Sequence, residues 1–135
     1  MTTISSPPEL RAALLDHERR LEHLSAPLGV WLTCLRDFPE TSFAMADRAE
    51  TPLPALAAVA VSSDERSRSR IAMRSNADPE ILRLLATDPD DGVVGHVASH
   101  PATPSVALNQ LLDHPWTKVR ERAQEGLSGG EPSDG

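Results

Sequence analysis

Residues 71–98 read IAMRSNADPEILRLLATDPDDGVVGHVA, and residues 97–124, VASHPATPSVALNQLLDHPWTKVRERAQ, follow the same pattern. Ile71 falls on Val97, Leu82 on Leu108, Leu85 on Leu111, Asp88 on His114, Pro89 on Pro115 and Val93 on Val119, each pair 26 residues apart. Upstream, Met45, Leu56, Val59 and Ala60 fall on Ile71, Leu82, Leu85 and Ala86 in the same register. A fixed period of this length is the mark of a repeat architecture. Pro79 and Pro104 are 25 apart, which implies a one-residue change of loop length, and Pro27, 25 before Pro52, marks the start of a fourth copy.

Thr51-Pro52, Asp78-Pro79 and Thr103-Pro104 stand at the same point of three copies. Thr or Asp can accept a hydrogen bond from the free N–H groups of a helix's first turn. Proline suits the next position, where its missing N–H is no loss. Each dipeptide therefore predicts a helix start. The helix 79–86 is apolar on most sides, as suits a helix held between neighbours. A turn over 87–92 leads to a second helix with Val93 and Val97 on one face. Pro101 disfavours helix at His100 and ends it near Ser99. One such pair cannot bury its own apolar faces, whereas stacked pairs form a continuous core. The expected fold is all-α: a short α-solenoid of about four helix pairs behind an N-terminal capping helix.

The stretch Val93–Pro115, V-x-x-x-V-A-x-H-P-A-T-P-x-x-x-x-L-x-x-L-x-D-H-P, resembles the bacterial variant leucine-rich repeat, a relative of HEAT-type helical repeats. The resemblance covers about residues 43–123. It implies a right-handed superhelix of alternating α- and 3-10 helices. Some members carry a cysteine-rich iron–sulfur module; here Cys34 stands alone, so that module is not expected. The family's Val-Arg pair is present at Val119-Arg120 and is replaced by Ser67-Arg68 and Val93-Val94 elsewhere.

The rest of the chain fits this frame. Residues 1–5 are expected to be disordered. Ser6-Pro7-Pro8-Glu9 reads as a capping box, opening a capping helix over 6–24 with Leu10, Leu14, Leu21 and Leu24 along one face. Repeats fill 25–124, with Trp31 in the core. The Gly- and Ser-rich segment 125–135 has too few apolar residues for a core and is expected to be a disordered tail. The chain has 135 residues, enough for one domain with a real core. Aromatics are 3% and Tyr is absent, which suits a Leu- and Ala-filled helical core over a sheet sandwich. The single cysteine excludes an internal disulfide and fits a reducing compartment. No targeting run and no apolar run near membrane-spanning length is read. The expectation is a cytoplasmic protein without membrane contact.

Catalytic signals are weak. His96 and His100, four apart, would suit two metal ligands, but no acid intervenes as in H-E-x-x-H, Pro101 closes the helix, and His114 has no implied proximity. Asp88, Asp90 and Asp91 lack the Gly offset and closing Glu of a calcium loop. No nucleophile with an identifiable base, no phosphate loop and no dinucleotide fingerprint occurs. We expect no enzyme activity, no cofactor and no metal.

The charge pattern says more. Arg66, Arg68, Arg70 and Arg74, with Lys118, Arg120 and Arg122, hold 7 of the 13 cations. Positions 66, 68 and 70 recur 52 residues on at 118, 120 and 122, two repeats later. This reads either as a solvated helix face or as a patch for an acidic partner. Arg48, Arg74 and His100 also lie 26 apart, each three residues after Met45, Ile71 and Val97. Cations there complement the carbonyls at helix C-termini, worth about 0.3–1 kcal/mol each, or form a recognition ridge. The net charge of −7 disfavours general polyanion binding. The leading expectation is a non-enzymatic protein-binding module of unknown partner. The alternatives are nucleic-acid binding through the arginine cluster and an inhibitor or immunity-type protein acting on a basic target.

Overall fold

The computed structural model describes residues 2–129; Met1 and residues 130–135 lie outside that description. Within it are nine α-helices and one pair of two-residue strands. Chain contacts divide it into two compact halves, one ending at Ile71 and one beginning at Ala72. No helix among the described residues is long and apolar enough to cross a membrane.

The N-terminal half opens with β1 (Thr2–Thr3), which pairs in parallel with β2 (Leu24–Ser25). The next amide, Ile4 N–H, donates to Ser25 O at 2.7 Å, and the Ile4 side chain is buried. This corrects the expectation that residues 1–5 are disordered, as far as residues 2–5 are concerned. Helix α1 (Pro7–Leu15) starts as its capping box predicts, with Glu9 N–H donating to Ser6 Oγ. Glu9 Oε1 in turn accepts from the Ser5 N–H, which holds this carboxyl below its usual range. The helix does not reach residue 24. It stops at Asp16, whose side chain caps a 3-10 turn (His17–Arg19) instead. Leu21, expected on the apolar face, is 90% exposed. Leu10, Leu14 and Leu24 are buried as expected.

Helices α2 (Leu28–Asp37), α3 (Ser42–Asp47), α4 (Leu53–Ala60) and α5 (Glu65–Ala72) follow, with a 3-10 turn (Pro39–Thr41) before α3. The boundary between the halves falls within α5. Trp31 on α2 is 1% exposed and is core. Cys34 is fully buried beside Thr41, and burial pushes its thiol up, so it is a packing residue. Asp64 precedes α5, where an acidic side chain suits the free N–H groups of a helix start. Its carboxylate accepts from Arg66 N–H and from the Ser67 hydroxyl, the latter at 2.6 Å. Ser67 and Ser42 Oγ lie 2.8 Å apart, a buried polar link between α5 and α3.

The C-terminal half holds α6 (Pro79–Leu85), α7 (Asp91–Ser99), α8 (Ser105–Leu111) and α9 (Thr117–Gly129). Helix α9 packs on α7 and α8. It runs past Ala123, so residues 125–129 are helix rather than tail; the rest of the predicted tail, 130–135, lies outside the described residues. Gly126 explains part of this. A Cβ there would meet Leu108 Cδ1 at 3.0 Å, so the bare glycine lets α9 come close to α8. Both halves are helical, but the alternation of α- and 3-10 helices implied by the resemblance is absent: α3, α5, α7 and α9 are all α-helical.

The local geometry keeps strict time. Pro52, Asp78 and Pro104 are the cap residues of α4, α6 and α8, with φ/ψ of −62/148, −70/131 and −62/148. They are 26 apart in both intervals, so no loop changes length; in the middle copy proline has moved one place into the helix and Asp stands at the cap. Pro27 caps α2 with the same dihedrals, −59/150. Asp78 does accept from Glu80 N–H, but Thr51 and Thr103 do not cap. Their buried hydroxyls donate backwards, to Met45 O at 2.7 Å and Val97 O at 2.6 Å. Each adds a second donor to a carbonyl near the end of the preceding helix, which the cap residue's N–H already reaches. The buried columns recur too: Leu56, Leu82 and Leu108; Val59, Leu85 and Leu111; Met45, Ile71, Val97 and Ala123.

Two measurements test these assignments. Leu85 is 1% exposed while its neighbour Leu84 is 45% exposed. Leu85→Ala is expected to cost about 2–5 kcal/mol in urea unfolding, and Leu84→Ala about 0.5 kcal/mol or less. The second is pH dependence. The Ser67 hydroxyl beside Asp64 holds its carboxyl below the usual aspartate range. A lowered folded-state value stabilises above the unfolded value, about pH 4, and that contribution vanishes as pH falls through the folded value. The stability gap between the protein and Asp64→Asn should therefore be full at neutral pH and close on acidification; a gap that widens in acid would refute the assignment.

Candidate functional site

The basic residues singled out by the sequence fall into two groups. The first group is occupied internally. Arg48 is 8% exposed. It donates to Glu22 O at 2.6 Å, Arg19 O at 2.7 Å and the Glu50 carboxylate at 2.8 Å. Glu50 also accepts from Leu24 N–H, 2.8 Å away. Burial acts to raise the Glu50 carboxyl, but the Leu24 amide and the Arg48 guanidinium outweigh it and hold it below its usual range. The pair thus clamps residues 19–24, the segment that carries β2. Arg74 is likewise 8% exposed. His100 is half-buried, with Nε2 2.6 Å from Arg74 O and Nδ1 accepting from Ala102 N–H at 3.0 Å. That acceptor role leaves the proton on Nε2, which donates to Arg74 O. Arg48 reaches back to the carbonyl 26 residues earlier, and so does His100. The recognition-ridge reading of Arg48 and Arg74 is corrected accordingly: both side chains are buried, and the guanidinium of Arg48 is spent on backbone carbonyls and Glu50.

Arg68 and Arg120 are two repeats apart and do the same job in their own halves. Arg68 donates to Ser62 O and Arg120 to His114 O, both at 2.7 Å and both six residues back across the turn before the helix. Arg120 adds Pro115 O and Thr117 Oγ1. Arg70 pairs with Asp47 at 2.7 Å, and the guanidinium of Arg66 lies 5.2 Å from the centre of the Phe43 ring. Both hold α5 to α3.

Arg122 belongs to the second group. With Lys118 one helical turn before it, Arg122 lines a groove of about 390 Å³ between α7 and α9. Neither cation has a hydrogen bond or ion pair among the described residues. The other walls are Gly92, Gly95, His96 and Ser99 on α7 and the ring of Trp116, which is 42% exposed. Gly95 faces the indole: a Cβ there would stand 3.6 Å from the ring, an ordinary contact distance. Without one, Trp116 lies against the backbone of α7. The main chain at this point is held as well: the Trp116 backbone N–H donates to His114 Nδ1, and His114 Nε2 faces Asp91 at 3.5 Å. Ser99 Oγ is turned onto Gly95 O. No carboxylate lines the groove.

The sequence reading passed over Trp116. Its signal was an aromatic two residues before a Lys-x-x-x-Arg pair on one helix face; that it faces Gly95, 21 residues earlier, is seen only in the fold. His96, weighed as a metal ligand, sits on this groove instead. No group of three His, Cys, Asp or Glu that could hold a metal occurs among the described residues. The fold and site define an all-helical protein with a cationic, aromatic-walled groove in its C-terminal half. No family model, curated protein or solved structure matches the chain.

Arg48→Gln separates a clamp from simple helix-end electrostatics. It removes three donor contacts and leaves Glu50, 11% exposed, short of its cation. Breaking a buried pair from one side costs about 3–5 kcal/mol, and the retained Leu24 amide sets the expectation at about 3 kcal/mol. Arg36→Gln, whose pair with Asp37 is 74% exposed on the arginine side, should change stability by about 0.5 kcal/mol or less. Equal, small losses in both would remove the clamp.

Proposed function

We propose that this chain is a helical-repeat module of the cytoplasm that binds a protein partner and performs no chemistry on it. In this reading the helix pairs stack as a short right-handed solenoid of the variant leucine-rich repeat kind. The equal dihedrals at Pro52, Asp78 and Pro104, the buried columns and the 26-residue reach of Arg48 and His100 support it.

One observation carries the binding part. Most of the cationic cluster is consumed in holding the fold, and the cations left over share a groove with an exposed tryptophan. Tryptophan and arginine are the residues most enriched where interfaces concentrate their energy. A cationic groove favours an acidic partner, which speaks against the inhibitor of a basic target. The runner-up is single-stranded nucleic acid, since Trp116 offers a face on which a base can stack. A net charge of −7 opposes it, because a backbone-tracking groove needs a run of cations.

The deciding experiment is affinity capture from the native cell with and without nuclease treatment. A discrete protein retained after nuclease treatment is the expected result. Capture that vanishes with nuclease, or with it a loss of signal at modest salt, would transfer the assignment to nucleic acid.

A further inference from the structure

The α7–α9 groove is specific enough to describe its occupant. Lys118 and Arg122 are four residues apart on α9, so their stems are separated by roughly 6 Å along the helix axis. In an extended strand, alternate side chains point the same way and are separated by roughly 6.6 Å. Two acids at alternate positions of an extended segment therefore match the two cations in spacing and in sign. The same match does not extend to a long polyanion. Beyond Arg122 the surface of α9 carries Glu125, and before Lys118 lie the exposed Asp113 and, at the start of α7, Asp91. A phosphate backbone with a charge at every nucleotide would run into these carboxylates, while a segment with two acids would not.

The third element is the indole. Trp116 presents its exposed face beside the cations, and Gly92 and Gly95 keep the opposite wall low. An apolar side chain next to the two acids would rest on that ring. At about 390 Å³ the groove holds only a few side chains, so the segment is short. The cations need no rearrangement to engage it, since neither is committed within the described residues.

We propose that this groove binds a short extended peptide segment of a partner protein with acidic residues at alternate positions and an apolar residue beside them. Lys118 and Arg122 pair with the two carboxylates, and Trp116 carries the apolar residue. The proposal rests on the protein-binding reading and adds the site and the chemistry of the partner.

The test uses the full chain and a fluorescein-labelled hexapeptide with glutamates at two alternate positions and a leucine beside them. Two controls accompany it: the same peptide with glutamines, and a labelled single-stranded oligonucleotide. Binding is read by fluorescence anisotropy at low salt and by quenching of tryptophan emission. Trp116 dominates that quenching, because Trp31 is 1% exposed. The glutamate peptide should bind at least tenfold more tightly than the glutamine peptide. The double substitution Lys118→Gln with Arg122→Gln should abolish that preference, and Trp116→Ala should weaken binding several-fold. Both cations are exposed, so circular dichroism of the double variant should match the parent. Equal affinity for the two peptides, unchanged affinity in the double variant, or tighter binding of the oligonucleotide than of the glutamate peptide would each overturn the proposal. The captured partner then distinguishes the two levels. If the double variant still captures it, the groove assignment falls and protein binding stands. If neither form captures a protein, both fall.

Discussion

Main-chain carbonyls in the turns and helix ends of this chain take side-chain donors from far along the sequence, most of them in addition to a backbone N–H. Arg48 gives two N–H groups to Arg19 O and Glu22 O, and His100 gives one to Arg74 O. Thr51 and Thr103 do the same at shorter range for Met45 and Val97. A buried carbonyl without a partner costs about 1–3 kcal/mol, so short helices of six to nine residues cannot leave many open. Arg48 to Glu22 and His100 to Arg74 both span 26 residues.

This constraint governs the charge pattern. A chain with 20 acids and 13 cations places several of its arginines against backbone oxygen. Arg48, Arg68 and Arg120 each donate to main-chain carbonyls. Arginine suits that task because its planar fork offers several donors at once and never loses its charge. Arg68 and Arg120 look in sequence like members of a surface patch, and in the folded chain they are turn fasteners. Lys118 and Arg122 differ from them in making no hydrogen bond or ion pair among the described residues, which is what marks them as available.

The helical class, the helix starts and the buried apolar positions were all legible in the sequence, because each is set by apolar spacing and by proline. What was not legible depended on long-range partners. The helix α1 pattern of Leu10, Leu14, Leu21 and Leu24 fits one face, yet Asp16 turns its carboxylate to Glu18 N–H and the helix ends. The segment beyond is then held by β1, Arg48 and Glu50, none of which lies next to it in the chain. Thr51 and Thr103 were misassigned because threonine before proline serves equally well as a cap or as a donor to the helix behind, and only the fold selects. Residues 125–129 have the composition of a tail, but Gly126 is what allows α9 to approach Leu108. For the groove, the Lys118/Arg122 spacing was visible, while its wall was not. Gly95 is meaningful only once α7 and α9 are side by side.

The direction of these fastenings has a consequence for how the chain is made. A ribosome delivers Glu22 and Arg74 before the side chains that will seal their carbonyls, Arg48 and His100. At about 5–20 residues per second, a lag of 26 residues lasts roughly 1–5 s. Helices themselves form in about a microsecond or less. During synthesis the helices before Arg48 and before His100 therefore form long before these two donors arrive. The first strand pair waits longest: Thr2 and Thr3 have their partners once Leu24 and Ser25 emerge, but that partner segment is not clamped until Glu50 has left the exit tunnel. Nascent chains halted just before Arg48 or just before His100 would lack the donor to Glu22 O or to Arg74 O and leave that turn less firmly held, a natural handle for whatever attends the growing polypeptide.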